Sequence, residues 1–202
     1  MEQKPGKFIV IEGIDGSGKS TQATNLANYF NQKGTPHILT REPTNGFIGN
    51  LARKAVMGDY ALPKEALALL FAADRAEHLA NEIRPAIDMG ALVLCDRYIY
   101  SNMAYQGVEV FEYNKKFLIP PDLTIFIDTD PEECTKRIIK SRDKLEIYDD
   151  VKIAKEIRAR YLQAFKLYGD FMPVEVVDGN CPEDEVFRCL IEKITKNLKG
   201  IY

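Results

Sequence analysis

The chain has no tryptophan, only two histidines and only four cysteines. Cys95, Cys134, Cys181 and Cys189 form no C-x-x-C pair, and His37 and His78 lie far apart and near no cysteine cluster. The pattern suggests neither a zinc site nor a disulfide framework. Cys95 ends an apolar run and reads as a small core residue. A basic excess is also missing: 27 Lys and Arg stand against 30 Asp and Glu, a net charge of −3. General nucleic-acid binders carry the opposite sign, so an anionic ligand must be met by local cation clusters. No apolar run approaches the roughly 18 residues of a membrane span. Met1 to Lys7 is short and polar and lacks a signal-peptide pattern. The expectation is a cytoplasmic protein that binds neither membrane nor nucleic acid. Repeats, low-complexity segments and dividing linkers are lacking as well, so residues 1–202 read as one domain with a full core.

What is present is concentrated first in Gly13-Ile14-Asp15-Gly16-Ser17-Gly18-Lys19-Ser20-Thr21. This is G-x-x-x-x-G-K-[ST], the Walker A pattern. Phe8-Ile9-Val10-Ile11 before it reads as a buried strand. Ala23, Leu26, Ala27 and Phe30 after it share one helix face. Strand, loop and helix in that order are the context the motif requires. Gly16 and Gly18 let backbone N–H groups turn toward a phosphate, and the helix N-terminus adds unpaired N–H groups and its positive dipole end. Lys19 supplies a full charge near the outer phosphates, and Ser20 a hydroxyl for Mg²⁺. The loop calls for a nucleoside triphosphate as ligand and Mg²⁺ as its ion.

The rest alternates. Lys19–Lys33 reads as a helix stopped by Gly34, His37–Thr40 as a strand, and Arg41–Gly46 as a loop. A modest helix covers 47–57. A longer one starts at Pro63 and runs to about Met89, kinked or split at Pro85. Phe71 and Arg75 share a face of it. Ala91–Cys95 is an unbroken apolar strand, as in the centre of a parallel sheet. Asp96-Arg97-Tyr98 follows, at a strand's carboxyl end, where open α/β sheets bind ligands. Ser101–Gln106 reads as a short polar helix and Leu123–Ile127 as a strand. A helix capped by Asp130 comes next, with Glu133 completing a capping box. Arg137–Asp150 loses apolar periodicity; with Arg137, Lys140, Arg142 and Lys144 it reads as a mobile basic lid. A helix over 151–171, a strand over 174–177 and a helix over 182–198 complete the chain. The predicted fold is α/β: a five-stranded parallel sheet, helices on both faces, and a short lid near 137–150.

A chain this short leaves little room for an effector or motor domain, and it has no N-K-x-D stretch for guanine. Both points favour a small kinase. Four stretches in order resemble the thymidylate kinase family: the phosphate loop with Asp15 inside it, Phe71-Ala72-Ala73-Asp74-Arg75, Asp96-Arg97-Tyr98, and Ser101-Asn102-Met103-Ala104-Tyr105-Gln106-Gly107. The resemblance runs from Phe8 through Asp178. It implies transfer of the γ-phosphoryl group of ATP to dTMP, in a homodimer. It implies further that Phe71 stacks on thymine, Arg75 bonds its O4 edge, and Asn102 reaches the pyrimidine or the neighbouring Asp-Arg segment. Tyr105 lies under the sugar and excludes a ribose 2′-OH. Arg97 holds the acceptor phosphate, with Arg41 a further candidate. Asp15 sits near the 3′-OH, and Asp96 organises Arg97 and the Mg²⁺ shell.

Some members of that family carry a basic residue where this chain has Gly16. Members lacking it supply an arginine from the lid, which makes Arg142 the candidate transition-state cation, with Lys144 and Arg137 behind it. The lid pattern departs at Glu146-Ile147-Tyr148-Asp149, where Ile147 stands in a place often held by Arg. Arg137 is alternatively placed over the adenine ring. Two other readings share parts of this pattern: a kinase for UMP, CMP or AMP, and an ATP-binding module without transfer.

Overall fold

The structure, a computed structural model, describes residues 5–141 and 150–198. Its strands are β1 (Phe8–Glu12), β2 (His37–Arg41), β3 (Leu92–Asp96), β4 (Leu123–Asp128) and β5 (Val174–Asp178). They pair in parallel in the order β2-β3-β1-β4-β5. The order explains the composition. β1 and β3 lie inside the sheet and are buried at every residue, whereas the edge strands β2 and β5 are partly exposed. A strand covered on both faces keeps no polar alternation.

Successive side chains go to opposite faces. Phe8, Val10, Val93, Cys95 and Phe126 meet Tyr100, Met103 and Tyr161 on one side. Ile9, Ile11, Leu94 and Ile125 meet Leu26, Phe30, Leu190 and Ile194 on the other. The helices of the second face are α1 (Lys19–Gln32) and α9 (Glu183–Asn197). Those of the first include α3 (Lys64–His78), α5 (Ile99–Gln106) and α8 (Val151–Tyr168).

The chain leaves β1 toward β2 and leaves β3 toward β4, so the connection reverses between these neighbours. Such a switch point opens a crevice at the strands' carboxyl ends. Gly13 follows β1 there, and Arg97 follows β3.

Several boundaries differ from the sequence expectation, and one division was foreseen. The long helix is split near Pro85, as expected: α3 ends at His78, a π-helical turn spans Leu79–Ile83, and α4 (Arg84–Asp88) follows. Proline lacks an N–H and crowds the carbonyl four residues back, and a widened turn relieves both. α5 starts at Ile99, two residues early, and a 3₁₀ turn (Val108–Val110) and α6 (Phe111–Asn114) add structure where none was expected. α8 ends at Tyr168, before the expected Phe171. α7 (Pro131–Ser141) continues past Arg137, because Cys134 and Ile138 bury one face and Glu133 pairs with Arg137 at 3.1 Å. α2 (Phe47–Val56) is as expected. Asp130 Oδ1 accepts Glu132 N–H at 2.7 Å at the start of α7, and Asp150 caps α8. Arg142, Lys144, Glu146, Ile147, Tyr148 and Asp149, most of the expected lid, lie outside the described residues.

Candidate active site

The loop after β1 is shaped by positive-φ glycines, Gly16 at 78° and Gly18 at 91°. A Cβ on Gly16 would lie 2.4 Å from the Cys134 carbonyl oxygen, so the loop packs too closely on α7 for any side chain. Gly18 supplies no side-chain cap to α1, which leaves the first amides of the helix available to an anion. Lys19 is buried. Its Nζ donates to the Ile14 carbonyl at 3.3 Å and to Asp15 Oδ1 at 3.5 Å. Burial, and next the charge of Arg97, push the Lys19 pKa below the ordinary lysine value; Asp15 and Asp96 oppose this.

Asp96 and Arg97 are adjacent in sequence but serve different neighbours. Ser20 donates to Asp96 Oδ2 at 2.5 Å, and Asp96 Oδ1 is buried without a partner. Arg97 takes φ of 74°, uncommon for a residue with a side chain. That turn carries its guanidinium back over the phosphate loop. It donates to Asp15 Oδ1 at 2.6 Å, Ser101 Oγ at 3.0 Å and the Gly13 carbonyl at 3.3 Å. The Tyr105 ring lies under it, 5.2 Å from centroid to guanidinium, and the Tyr105 hydroxyl donates to Asp15 Oδ2 at 3.2 Å. Asp96 therefore organises Arg97 only through space, as one of the charges that favour the guanidinium against the cost of its burial.

Asp15, Arg41, Phe71, Arg75, Arg97, Asn102 and Tyr105, the residues expected to hold the acceptor, all line one cavity of about 170 Å³. Pro43 and Val56 add apolar wall. Arg75 is wholly buried. It donates to Asn102 Oδ1 at 3.1 Å, Asn114 Oδ1 at 2.8 Å and Glu42 Oε2 at 2.5 Å, and its Nε–H has no partner. Asn102 passes its own amide N–H to Gln106. Its carbonyl is thus committed to Arg75. A second cavity, about 250 Å³, lies on the other side of the loop between Gly18, Thr21, Arg137, Gly179 and Cys181. Arg137 stands in it as the candidate for the donor base. A third and larger one, about 600 Å³, flanks Ser20 and Asp96.

Sequence reasoning missed the frame behind Arg97. Glu12 is completely buried at the end of β1. It accepts from the backbone of Tyr98 and Ser101 at 2.9 and 3.0 Å, from Ser101 Oγ at 2.5 Å and from the Tyr161 hydroxyl at 2.9 Å. Burial raises its pKa, and these donors work against the rise. A carboxylate closing an otherwise apolar strand was the visible signal. Tyr161 had none: it reads as one more member of an apolar helix stripe.

The thymidylate kinase family model matches residues 11–187. A probable thymidylate kinase of Thermococcus gammatolerans is 38% identical over 210 residues, covering 97% of this chain and 100% of that protein. One of Pyrococcus horikoshii is 38% identical over 207 residues, covering 97% and 99%. A thymidylate kinase of Carboxydothermus hydrogenoformans is 38% identical over 196 residues, covering 90% and 93%. With the match extending across the phosphate loop and both flanking cavities, the chain belongs to the thymidylate kinase family.

Proposed function

We propose that the protein transfers the γ-phosphoryl group of ATP to dTMP, giving dTDP and ADP. The observation that carries this is the single cavity that gathers a ring-stacking face, a base-edge arginine and a phosphate arginine against the Walker loop. An oxygen of the dTMP phosphate attacks the γ-phosphorus, and the bond to the β,γ-bridging oxygen breaks. A phosphate monoester is already largely deprotonated at pH 7, its second pKa being about 6, so no strong base is needed. The work is positioning and charge. Two unit charges 4 Å apart repel by about 4 kcal/mol at an effective dielectric near 20. Lys19 from the donor side and Arg97 from the acceptor side offset that repulsion. Arg137 serves the adenine end, and Arg142 is assigned the transition-state cation on sequence grounds.

The donor set fits Mg²⁺. Asp96 Oδ1 is a buried oxygen with no partner, beside the Ser20 hydroxyl, and Mg²⁺ takes such hard oxygens. Among the described residues no cluster of three or more His, Cys, Asp and Glu could hold a metal, so triphosphate oxygens and water would complete the shell. Bound there, the ion would neutralise part of the triphosphate charge. Asp96→Asn is expected to raise the Mg²⁺ concentration for half-maximal rate about 10–100-fold, measured by titrating Mg²⁺ at fixed ATP.

The Tyr105 ring is pinned by Arg97 and Asp15. Tyr105→Ala is expected to narrow the preference for dTMP over ribothymidine monophosphate about 10-fold, read as the ratio of kcat/KM values. An unchanged ratio removes Tyr105 from sugar selection.

The reading includes one domain over residues 1–202, a cytoplasmic location where ATP and Mg²⁺ are abundant, and a homodimer. Phe47 on α2 and Leu69 on α3 are apolar and exposed, at 85% and 53%, which suits a face covered by a second copy. No helix of the described residues is long and apolar enough to cross a membrane. The decisive experiment mixes protein, ATP and Mg²⁺ with a panel of nucleoside monophosphates. Preferential dTDP formation is expected. UMP, CMP or AMP used above dTMP overturns the base assignments, and no transfer to any overturns the activity.

A further inference from the structure

Behind the acceptor cavity a second buried chain of side chains runs from the edge of the sheet to Arg75. Glu42 is the middle of it. One carboxylate oxygen, Oε2, takes Arg75 Nη2 at 2.5 Å, and the other, Oε1, lies 3.2 Å from His78 Nδ1. His78 Nε2 is 2.7 Å from Thr40 Oγ1 on β2, and 3.5 Å from Glu82 in the π-helical turn. The His78 side chain has no exposed surface and does not line the acceptor cavity, whereas Glu42 and Arg75 do.

The donor inventory assigns the directions. A carboxylate accepts only, so Nδ1 carries a proton and donates to Glu42. Glu42 thus has one donor on each oxygen, and its plane cannot turn without breaking one of them. Arg75 depends on that plane. Its stem is long, and its head is fixed by Glu42 on one nitrogen, by Asn102 and Asn114 on another, and by the Tyr98 ring 5.0 Å beneath. Three of its five N–H groups are thus taken, and the Nε–H and the second Nη2–H are the donors left for a ligand.

The geometry points to His78 as a positioning residue for base selection: through Glu42 it sets the angle at which Arg75 meets the pyrimidine 4-position. This rests on the reading of Arg75 as the base-edge residue. The chemistry is a matter of sign. dTMP offers an acceptor, O4, at that position, and dCMP offers an amino donor. A fixed arginine N–H rejects the donor, and a loosened one tolerates it.

Two substitutions separate positioning from bulk. His78→Asn keeps an amide N–H near the place of Nδ1 and so keeps a donor for Glu42. His78→Gln reaches toward Thr40 and leaves Glu42 Oε1 without its donor. For His78→Gln, KM for dTMP is expected to rise about 10-fold and the preference for dTMP over dCMP to fall about 10-fold, the effect of one charge-assisted hydrogen bond. KM for ATP is expected to stay within about 2-fold, because Arg75 stands away from the donor cavity. His78→Asn is expected to remain near wild type on every count. Wild-type discrimination in His78→Gln overturns the inference. Equal loss of dTMP and ATP affinity in both variants, with a lowered Tm, also overturns it, in favour of a purely structural role. A wild-type protein that does not prefer dTMP over dCMP overturns the Arg75 reading itself, and is recognised before any variant is made.

Discussion

Lys19→Ala is expected to lower kcat about 10³-fold, the upper end for removal of one preorganised donor from a transferring group, with KM for dTMP little changed. The split follows from where Lys19 sits. Its Nζ is fixed inside the loop by the Ile14 carbonyl and Asp15, and it lines no part of the acceptor cavity. Lys19→Arg is expected to restore little, because a planar fork cannot occupy the space of a compact ammonium. The pH dependence carries a sign. Burial depresses the Lys19 pKa from 10.5, so the free protein loses this charge at a lower pH than an exposed lysine does. ATP affinity is therefore expected to decline on the alkaline side before pH 10.5, and the Lys19→Ala protein to lack that limb. Calorimetric titration of ATP across pH measures both. A retained limb in Lys19→Ala assigns it to another group.

The phosphate loop was legible because its chemistry is local. Glycines that need positive φ, a lysine and a hydroxyl must follow one another in sequence to surround one phosphate. The same holds for the strands: apolar runs without alternation have one destination, the middle of a parallel sheet. Phe71 and Arg75 were legible as a pair only through the resemblance, since helical spacing alone makes Phe71 a core residue. What stayed hidden is what the fold assembles from distant stretches. Glu12, Ser101 and Tyr161 come from β1, α5 and α8 to meet behind Arg97. Thr40, Glu42, His78 and Arg75 meet from β2, its following loop and α3. No spacing rule links such residues. The π-helical turn was hidden for a different reason: Pro85 announces a disturbance, but the relief is placed upstream, where the crowded carbonyl lies.

Arg97→Ala is expected to lower kcat/KM for dTMP about 10³-fold or more, the range of arginines that stabilise a transferring phosphoryl group. Thymidine, which lacks the phosphate, serves as the control: its weak binding is expected to survive, because Phe71 and Arg75 are untouched. Loss of thymidine binding as well would make Arg97 a support of the pocket rather than a phosphate ligand. Arg97→Lys is expected to recover only part of the rate. One ammonium cannot reach Asp15, Ser101 and the Gly13 carbonyl together, as the guanidinium does. The backbone supplies an independent check. At φ of 74° a Cβ costs about 1 kcal/mol relative to glycine. Arg97→Gly is therefore expected to unfold at higher denaturant than Arg97→Ala, while both are equally inactive. That outcome would separate the two roles of the position: the conformation is one that glycine adopts freely, and arginine stands there for the charge it turns toward the phosphate loop. The strain is then part of the site. An extended residue after β3 would send the side chain away from Asp15, and the acceptor phosphate would meet a loop that carries Lys19 alone.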